Sequence, residues 1–449
     1  MNEYGLIVIL EFHHRPVYAL NTFNSFMEQN VINPLTYSPK GDKKNSVYFD
    51  EYRMKIYERR QSSGLNDLLG NLHALVIQVQ TGDGFAYMKE VYAMMPYRYR
   101  KSFITETHRI YILENTQQSP LLFILEPLDF YFEDDITRVN RMYPNAREKF
   151  NARYVGEIFH CEDLKETKKI LKSHDFNFQD PETIKNKFYS NAHIAFTRMS
   201  AHTFNSIGYT QDDLLNFERF DLGQAFYLTR AQHKALDTVD ALTQKLGIKP
   251  FMKGIDHMAT RMLAGDREDA ILEFLCLSNY YFWGAYNIAD MNSSTNVNRV
   301  PHGHDILSPA KVFTANNTPF MVNSFEHLPM PTETFVRNYG RRMHHIAIEI
   351  VDGDHSKAMK NLDFVIHALR KHAGVEFLAQ VFGECQGEPD LKQIFSKHSA
   401  LSLLITEYVE RCHGFDGFFT KHNVAALTEA ASLDEDVKQH HHQKGLVGD

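Results

Sequence analysis

The sequence predicts an α+β fold of βαβββ modules paired into two domains, and three observations support it. Four strand-first units, each a short apolar strand followed by a helical stretch, begin near Asn71, Tyr154, Asp256 and His344, at intervals of roughly 80 to 100 residues. A long amphipathic helix expected over Leu222–Leu246 stops at Gly247, with Pro250 just beyond, which marks a boundary between the second and third units. The 449 residues are too many for one ordinary domain and suit two of roughly 200 residues each. Modules of this kind pair their sheets around a cavity.

In chain order, residues 1–66 read as an extension packed on the first domain, with one short apolar run at Leu6–Leu10 expected as an edge strand. The first domain is expected over 67–247. Its strands include Leu72–Val79 and Leu121–Leu125, and its helices Gly84–Met95 and Asp163–Leu171. The second domain is expected over 248–433, where the strand at His257 precedes a helix over Glu268–Tyr281 and the strand at His344 precedes one over Ser356–Lys371. Residues 434–449, with Asp434-Glu435-Asp436 and His440-His441-His442, read as a disordered tail.

Composition narrows the partner. A net charge of -8 and a pI near 6.3 leave no electrostatic footprint for nucleic acid, and no Lys/Arg run suggests a membrane patch. A small molecule is therefore expected; self-association stays open. Cys161, Cys276, Cys385 and Cys412 are scattered without a Cys-x-x-Cys pair, so a disulfide framework and a structural zinc site are not expected. With no secretory n-region at Met1, a reducing, cytoplasmic setting is the expectation.

The expected strand Leu401–Glu410 is the anomaly. Leu403, Ile405, Glu407 and Val409 alternate onto one face, which places a carboxylate among aliphatic side chains. An ionised carboxylate there costs several kcal/mol unless a cation, a metal or donors compensate it. Histidines stand near the start of two other apolar runs, in Ile255-Asp256-His257-Met258 and in His344-His345-Ile346-Ala347. Alternation alone does not choose between His344 and His345. Aligning the two repeats does, because it puts His345 in register with His257. Two imidazoles and one carboxylate form the ligand set of non-haem Fe(II) with open positions. On Leu391–Ser396, Gln393 shares a face with Leu391 and Phe395, so an amide and a ring are expected in the same cavity.

The C-terminal part resembles the 4-hydroxyphenylpyruvate dioxygenase family. The likeness lies in Gln393-Ile394-Phe395-Ser396-Lys397, Ile405-Thr406-Glu407-Tyr408-Val409-Glu410-Arg411, Gly414-Phe415, and Asn423 to Leu427, with Ile255-Asp256-His257 and His345-Ile346-Ala347 resembling its histidine strands. The resemblance covers roughly residues 250 to 432 and is architectural before that. It implies the vicinal-oxygen-chelate fold, with iron held only in the second domain. Carried over by position, His257, His345 and Glu407 would bind Fe(II), Gln393 would orient a 2-oxo acid, and Phe395 would stack on its aromatic ring. In the first domain His73 occupies a ligand-like position while Gly156 replaces the partner histidine, so no complete triad is expected there. The sequence departs from the family at Val424 and Thr428, where it carries Phe, and at Phe325-Glu326-His327, where it carries Asn-Glu-Pro. An insertion, Asp416–His422, precedes Asn423 and offers Phe418 or Phe419 as a replacement wall. The resemblance implies oxidative decarboxylation of 4-hydroxyphenylpyruvate to homogentisate with O₂, as in tyrosine catabolism. A 4-hydroxymandelate-forming variant, an extradiol ring-cleaving dioxygenase and a non-catalytic relative are the alternatives.

Overall fold

The computed structural model describes residues 31–42, 47–115, 119–214, 221–288, 291–301, 308–318, 331–357 and 359–432. The run Leu6–Leu10, the segment Phe325-Glu326-His327 and the charged tail lie outside them. The first half runs through β1 (Lys40–Gly41), the helix Val47–Ser62, β2 (Leu69–Gln78), the helix Gly84–Met94, β3 (Tyr97–Ile104), β4 (His108–Asn115) and β5 (Leu121–Pro127). It continues through β6 (Arg153–Cys161), the helix Leu164–Ser173, β7 (Ala195–Phe196), β8 (Ser206–Thr210) and β9 (Gln224–Phe226). After the helix Arg230–Leu246 come β10 (Met252–Arg261), the helix Arg267–Leu277, β11 (Tyr281–Ile288), β12 (Ser293–Arg299), β13 (Ala310–Asn316) and the helix Pro331–Tyr339. The chain closes with β14 (Arg342–Ile350), β15 (Asp354–Ser356), β16 (Met359–Lys360), the helix Asn361–Ala368, β17 (Asp390–Phe395), β18 (Ile405–Cys412) and the helix Lys421–Ser432.

Among the described residues two eight-stranded sheets form, in the orders β7-β8-β6-β2-β5-β4-β3-β9 and β1-β11-β12-β13-β10-β14-β18-β17, beside the two-stranded β15-β16. Their centres repeat one pattern. β2 pairs parallel with β5 and antiparallel with β6, which pairs parallel with β8; β10, β13, β14 and β18 stand in the same relations. One hydrophobic core joins the sheets, with Leu75, Ile77, Tyr154 and Phe159 from the first and Met258, Ile346, Ile348 and Tyr408 from the second. The opposite face of the first sheet is filled by a separate cluster of Ala74, Val76, Ile112, Phe123 and Ile158 under Phe188, Tyr189 and Phe196.

Local chemistry sets the element ends. The helix Arg230–Leu246 begins at Thr229, whose hydroxyl accepts from the Gln232 N–H while the Gln232 side chain accepts from the Thr229 N–H, and it ends at Gly247 with φ 68°. Its expected start at Leu222 is too early, because residues 224–226 pair as β9 with β3. β18 begins at Ile405, later than the expected Leu401, because Leu403 turns with φ 61°.

Two expectations are corrected. The N-terminal extension packs chiefly on the second sheet: β1 pairs with β11, Phe49 meets Phe282 edge-on, and the buried Arg60 donates to the carbonyls of Leu275, Ser278 and Tyr280. Those carbonyls, left over where the helix Arg267–Leu277 ends, need a donor that only a distant segment supplies. Cys385 and Cys412 form a disulfide, against the expectation of unpaired cysteines on which a reducing setting rested. Pairing of β17 with β18 sets Asp390 opposite Cys412 and carries the Cys385 turn alongside, a proximity hidden by 27 residues of separation. Cys161 and Cys276 are free and buried. Among the described residues, no helix is long and apolar enough to cross a membrane.

A buried ion pair, Lys311 on β13 with Glu157 on β6, links the two sheets at 2% and 1% side-chain exposure. Breaking it strands a charge, whereas replacing both partners removes the desolvation cost as well. Lys311→Met is expected to destabilise the protein by about 3–5 kcal/mol, and Lys311→Met with Glu157→Leu to recover most of the loss, as measured by urea unfolding. A harmless single substitution would contradict the assignment.

Candidate metal centre

β10, β14 and β18 lie side by side, and their register sets the site. His257 stands opposite Ala347, Ala259 opposite His345, and Ala347 beside Glu407, so the three ligand-type side chains rise from adjacent strands with small alanines between them. His257 Nε2 lies 3.0 Å from Glu407 Oε2, His345 Nε2 lies 3.1 Å from the same oxygen, and the two nitrogens are 3.2 Å apart. Three mutually adjacent ligands on an octahedral ion, at bonds of about 2.1 Å, stand about 3.0 Å from one another, whereas tetrahedral ligands stand about 3.4 Å apart. The triangle thus has the size of one octahedral face. His257 and Glu407 are 0% and 1% exposed, and no hydrogen bond satisfies Glu407 Oε2. A divalent cation would answer that oxygen and both imidazole lone pairs together, so the residues present fit a metal.

The far sides of the ligands are held. Asp256 Oδ1 faces His257 Nδ1 at 2.7 Å, and Asp256 is gripped by Arg411 through Nε at 2.9 Å and Nη2 at 2.8 Å. Arg411 also donates to the carbonyls of Gly417 and Phe418. His344 Nδ1 lies 2.8 Å from His345 Nδ1, and Gln393 Nε2 donates to Glu407 Oε1 at 2.7 Å. If each Nε2 is to present a lone pair inward, each Nδ1 must carry the proton, and these contacts supply the acceptors.

Asp256, Arg411 and His344 have no role in the sequence reading. Strict alternation would send Asp256 and His344 to the opposite face, but each is the extra residue of a β-bulge. Ile255 and His257 pair with the consecutive Ile348 and Ala347, and Ala259 and Thr260 pair with His345 and Met343. A bulge re-aims its side chain. The only sequence signal was that both residues directly precede a ligand-type histidine.

Among the other expected site residues, the Phe395 ring lies 4.8 Å from that of His345 and clusters with Ile405 and Leu427. Gln393 keeps Oε1 unbonded and buried. Phe418 and Phe419 pack edge-on to His257 at 5.6 and 5.2 Å, with their N–H groups on the Tyr286 hydroxyl. Asn423 donates its amide to the Leu391 carbonyl, which fastens the helix Lys421–Ser432 to β17. Val424 and Thr428 are buried, with Thr428 turned back onto the Val424 carbonyl.

His73 is not at the position equivalent to His257. Ala74 pairs with Ile158 as His257 pairs with Ala347, Gly156 takes the place of His345, and Gly208 that of Glu407. His73 is the extra residue of a β-bulge, because Leu72 and Ala74 pair with the consecutive Phe159 and Ile158, and so it takes the place of Asp256. His73 accordingly stands beside His160, at 5.0 Å, where burial pushes its pKa down to about 4. A Cβ at Gly208 would stand 2.7 Å from the Phe196 ring, so an aromatic side chain fills the space that a carboxylate takes in the second sheet.

Scanned against protein-family models the sequence matches none, and no curated protein matches it. Solved structures do match. A variant of 4-hydroxymandelate synthase from Streptomyces coelicolor superposes with a TM-score of 0.53 at 13% identity, over 81% of this chain and 98% of that one. The fold is the vicinal-oxygen-chelate fold. A xylose isomerase-like TIM barrel/4-hydroxyphenylpyruvate dioxygenase fusion protein gives 0.48 at 10% identity, over 87% of this chain and 61% of that one. BphC, a halotolerant catechol dioxygenase, gives 0.39 at 10% identity, over 76% of this chain and 87% of that one.

Burial disfavours the imidazolium of His257, but the Glu407 carboxylate and the bond to Asp256 outweigh it and raise its pKa to about 9. Burial and the charges of His257 and Arg261 hold the pKa of His345 well below its ordinary value. Without metal, His257 therefore carries a proton at neutral pH that must leave as a cation binds, while His345 is already neutral. Co(II) affinity is expected to rise about tenfold per pH unit between about pH 6 and pH 8, measured against a chelating dye; a flat profile would contradict it. Asp256→Asn is expected to weaken Co(II) binding by about 10–100-fold with the circular dichroism spectrum retained.

Proposed function

We propose that the chain is an Fe(II)-dependent dioxygenase that oxidatively decarboxylates an aryl 2-oxo acid, with 4-hydroxyphenylpyruvate, giving homogentisate, as the leading substrate. The observation that carries the reading is the buried triangle of His257 Nε2, His345 Nε2 and Glu407 Oε2, with edges of 3.0 to 3.2 Å. A non-haem Fe(II) ion bound there supplies a Lewis-acidic, redox-active centre with positions left open for a chelating 2-oxo acid and O₂. In this reading residues 248–433 form the catalytic domain. Residues 67–247 form a companion domain whose equivalent positions, Ala74, Gly156 and Gly208, cannot ligate a metal.

The chain's own groups then divide the work. Asp256 and His344 hold the Nδ1 protons and so fix the direction of each Nε2 lone pair. Gln393 steadies Glu407 through Nε2 and leaves Oε1 to accept a hydrogen bond from the substrate. Phe395, Ile405 and Leu427 offer an apolar wall for an aromatic ring, while Phe418 and Phe419 shield His257 from water. Asn423 acts as an anchor for the last helix.

The test is anaerobic reconstitution with Fe(II), followed by O₂ uptake and CO₂ release over a panel of aryl 2-oxo acids and catechols. Equimolar uptake and release with the 2-oxo acids is expected, with both lost in Glu407→Ala and His345→Ala. Uptake with catechols alone would replace this reading with extradiol ring cleavage, and no uptake with any substrate would replace it with a non-catalytic role.

A further inference from the structure

Among the described residues each buried arginine donates to at least one acceptor except Arg261, beside the candidate metal centre, although Arg53 and Arg342 also keep buried N–H groups unbonded. Arg60 donates to three backbone carbonyls, Arg153 to the carbonyls of Thr203, Phe204 and Arg341, Arg342 to that of Ala152, and Arg411 to Asp256. Arg261 is 6% exposed, and among the described residues neither a carboxylate nor a hydrogen-bond acceptor pairs with its guanidinium. Burial alone acts on it and pushes its pKa below the ordinary arginine range. A cation at that depth that faces an aromatic ring and no anion offers an arriving anion a strong partner.

Its place in the sheet indicates which anion. His257, Ala259 and Arg261 alternate along β10 and share a face. Ala259 lies opposite His345, and Arg261 stands a further two residues along, about 7 Å away. Its guanidinium lies 5.2 Å from the centre of the Phe335 ring, which meets the His344 ring edge-on at 4.9 Å. The charge of Arg261 bears on both His344 and His345, neither of which can neutralise it. The cation therefore borders the ligand set from the side of His344 and His345.

We propose that Arg261 recognises a carboxylate carried by the substrate at the end remote from its metal-chelating group. The inference rests on the proposed function and changes its leading substrate, from 4-hydroxyphenylpyruvate to an aryl 2-oxo acid whose ring or side chain bears a second carboxylate. Arg261 forms the charge-assisted bonds that set the substrate's orientation and takes no part in bond breaking.

Trp283, the chain's one tryptophan, lies 5.9 Å from Phe418, so its fluorescence reports on binding next to His257. With Co(II)-loaded protein under nitrogen, three ligands of one shape are compared: 4-carboxyphenylpyruvate, its ring methyl ester, and 4-hydroxyphenylpyruvate. The diacid is expected to bind at least about tenfold tighter than the ester. That ratio should collapse towards one in Arg261→Gln and persist in part in Arg261→Lys. Because no anion faces the unliganded cation, Arg261→Met is expected to raise the Tm of the ligand-free protein, a change that a structural arginine would reverse in sign. Equal binding of diacid and ester, a ratio that survives Arg261→Gln, or a lowered Tm in Arg261→Met overturns the inference and leaves the dioxygenase reading standing. Failure of all three ligands to bind would overturn both.

Discussion

The arrangement of the second sheet turns on the oxygen Glu407 Oε2. It is buried and faces two imidazole nitrogens 3.0 and 3.1 Å away, and its donor among the described residues is the Nε2–H of His257 when that ring is protonated. Three electron-rich atoms at that separation in an apolar interior repel one another unless a proton or a metal cation sits among them. Surrounding features reduce the freedom of that cluster to relax. Alanines at 259 and 347 let the strands approach with ligand side chains on alternate positions, Gln393 holds the other carboxylate oxygen, and Asp256 fixes one imidazole from behind.

The same topology occurs twice with opposite contents. In the first sheet the register positions of the ligands carry Ala74, Gly156 and Gly208, and Phe188, Tyr189 and Phe196 fill the concave face. One half thus gains stability from apolar burial, roughly 1.5–3 kcal/mol for each large side chain. The other gives up part of that gain to polar groups. The Lys311–Glu157 pair and the shared core then couple the two halves.

Much of this was legible in the sequence because the signals were periodic. Strand-then-helix order located both sheets, and a carboxylate in step with Ile405 and Val409 marked Glu407 before any geometry was known. What alternation could not show were the irregularities that complete the site. Asp256 and His344 reach the ligands because each is a bulge residue, and an extra residue in a ladder leaves no trace in a period of two. His73 was misplaced for the same reason, as a bulge residue beside Ala74. It has the right residue type one step out of register, and register is set by pairing with β6, which the strand's own residues do not encode. The Cys385–Cys412 bond and the docking of the helix Val47–Ser62 on the second sheet depend on contacts between distant segments, for which local sequence carries no signal.

The segment Asp416–His422 is tied to the candidate ligand residues by a continuous route. Arg411 lies on the ligand strand β18, grips Asp256 behind His257, and binds the carbonyls of Gly417 and Phe418 within that segment. Its guanidinium also lies 4.7 Å from the centre of the Phe418 ring, which packs on His257. One cation therefore sets the orientation of a ligand and the position of the aromatic cover over that ligand. A change in the segment that moves Phe418 must move the acceptors of Arg411, and with them the carboxylate that orients His257. The aromatic cover and the ligand-type side chain behind it thus form a single mechanical unit, joined through Arg411.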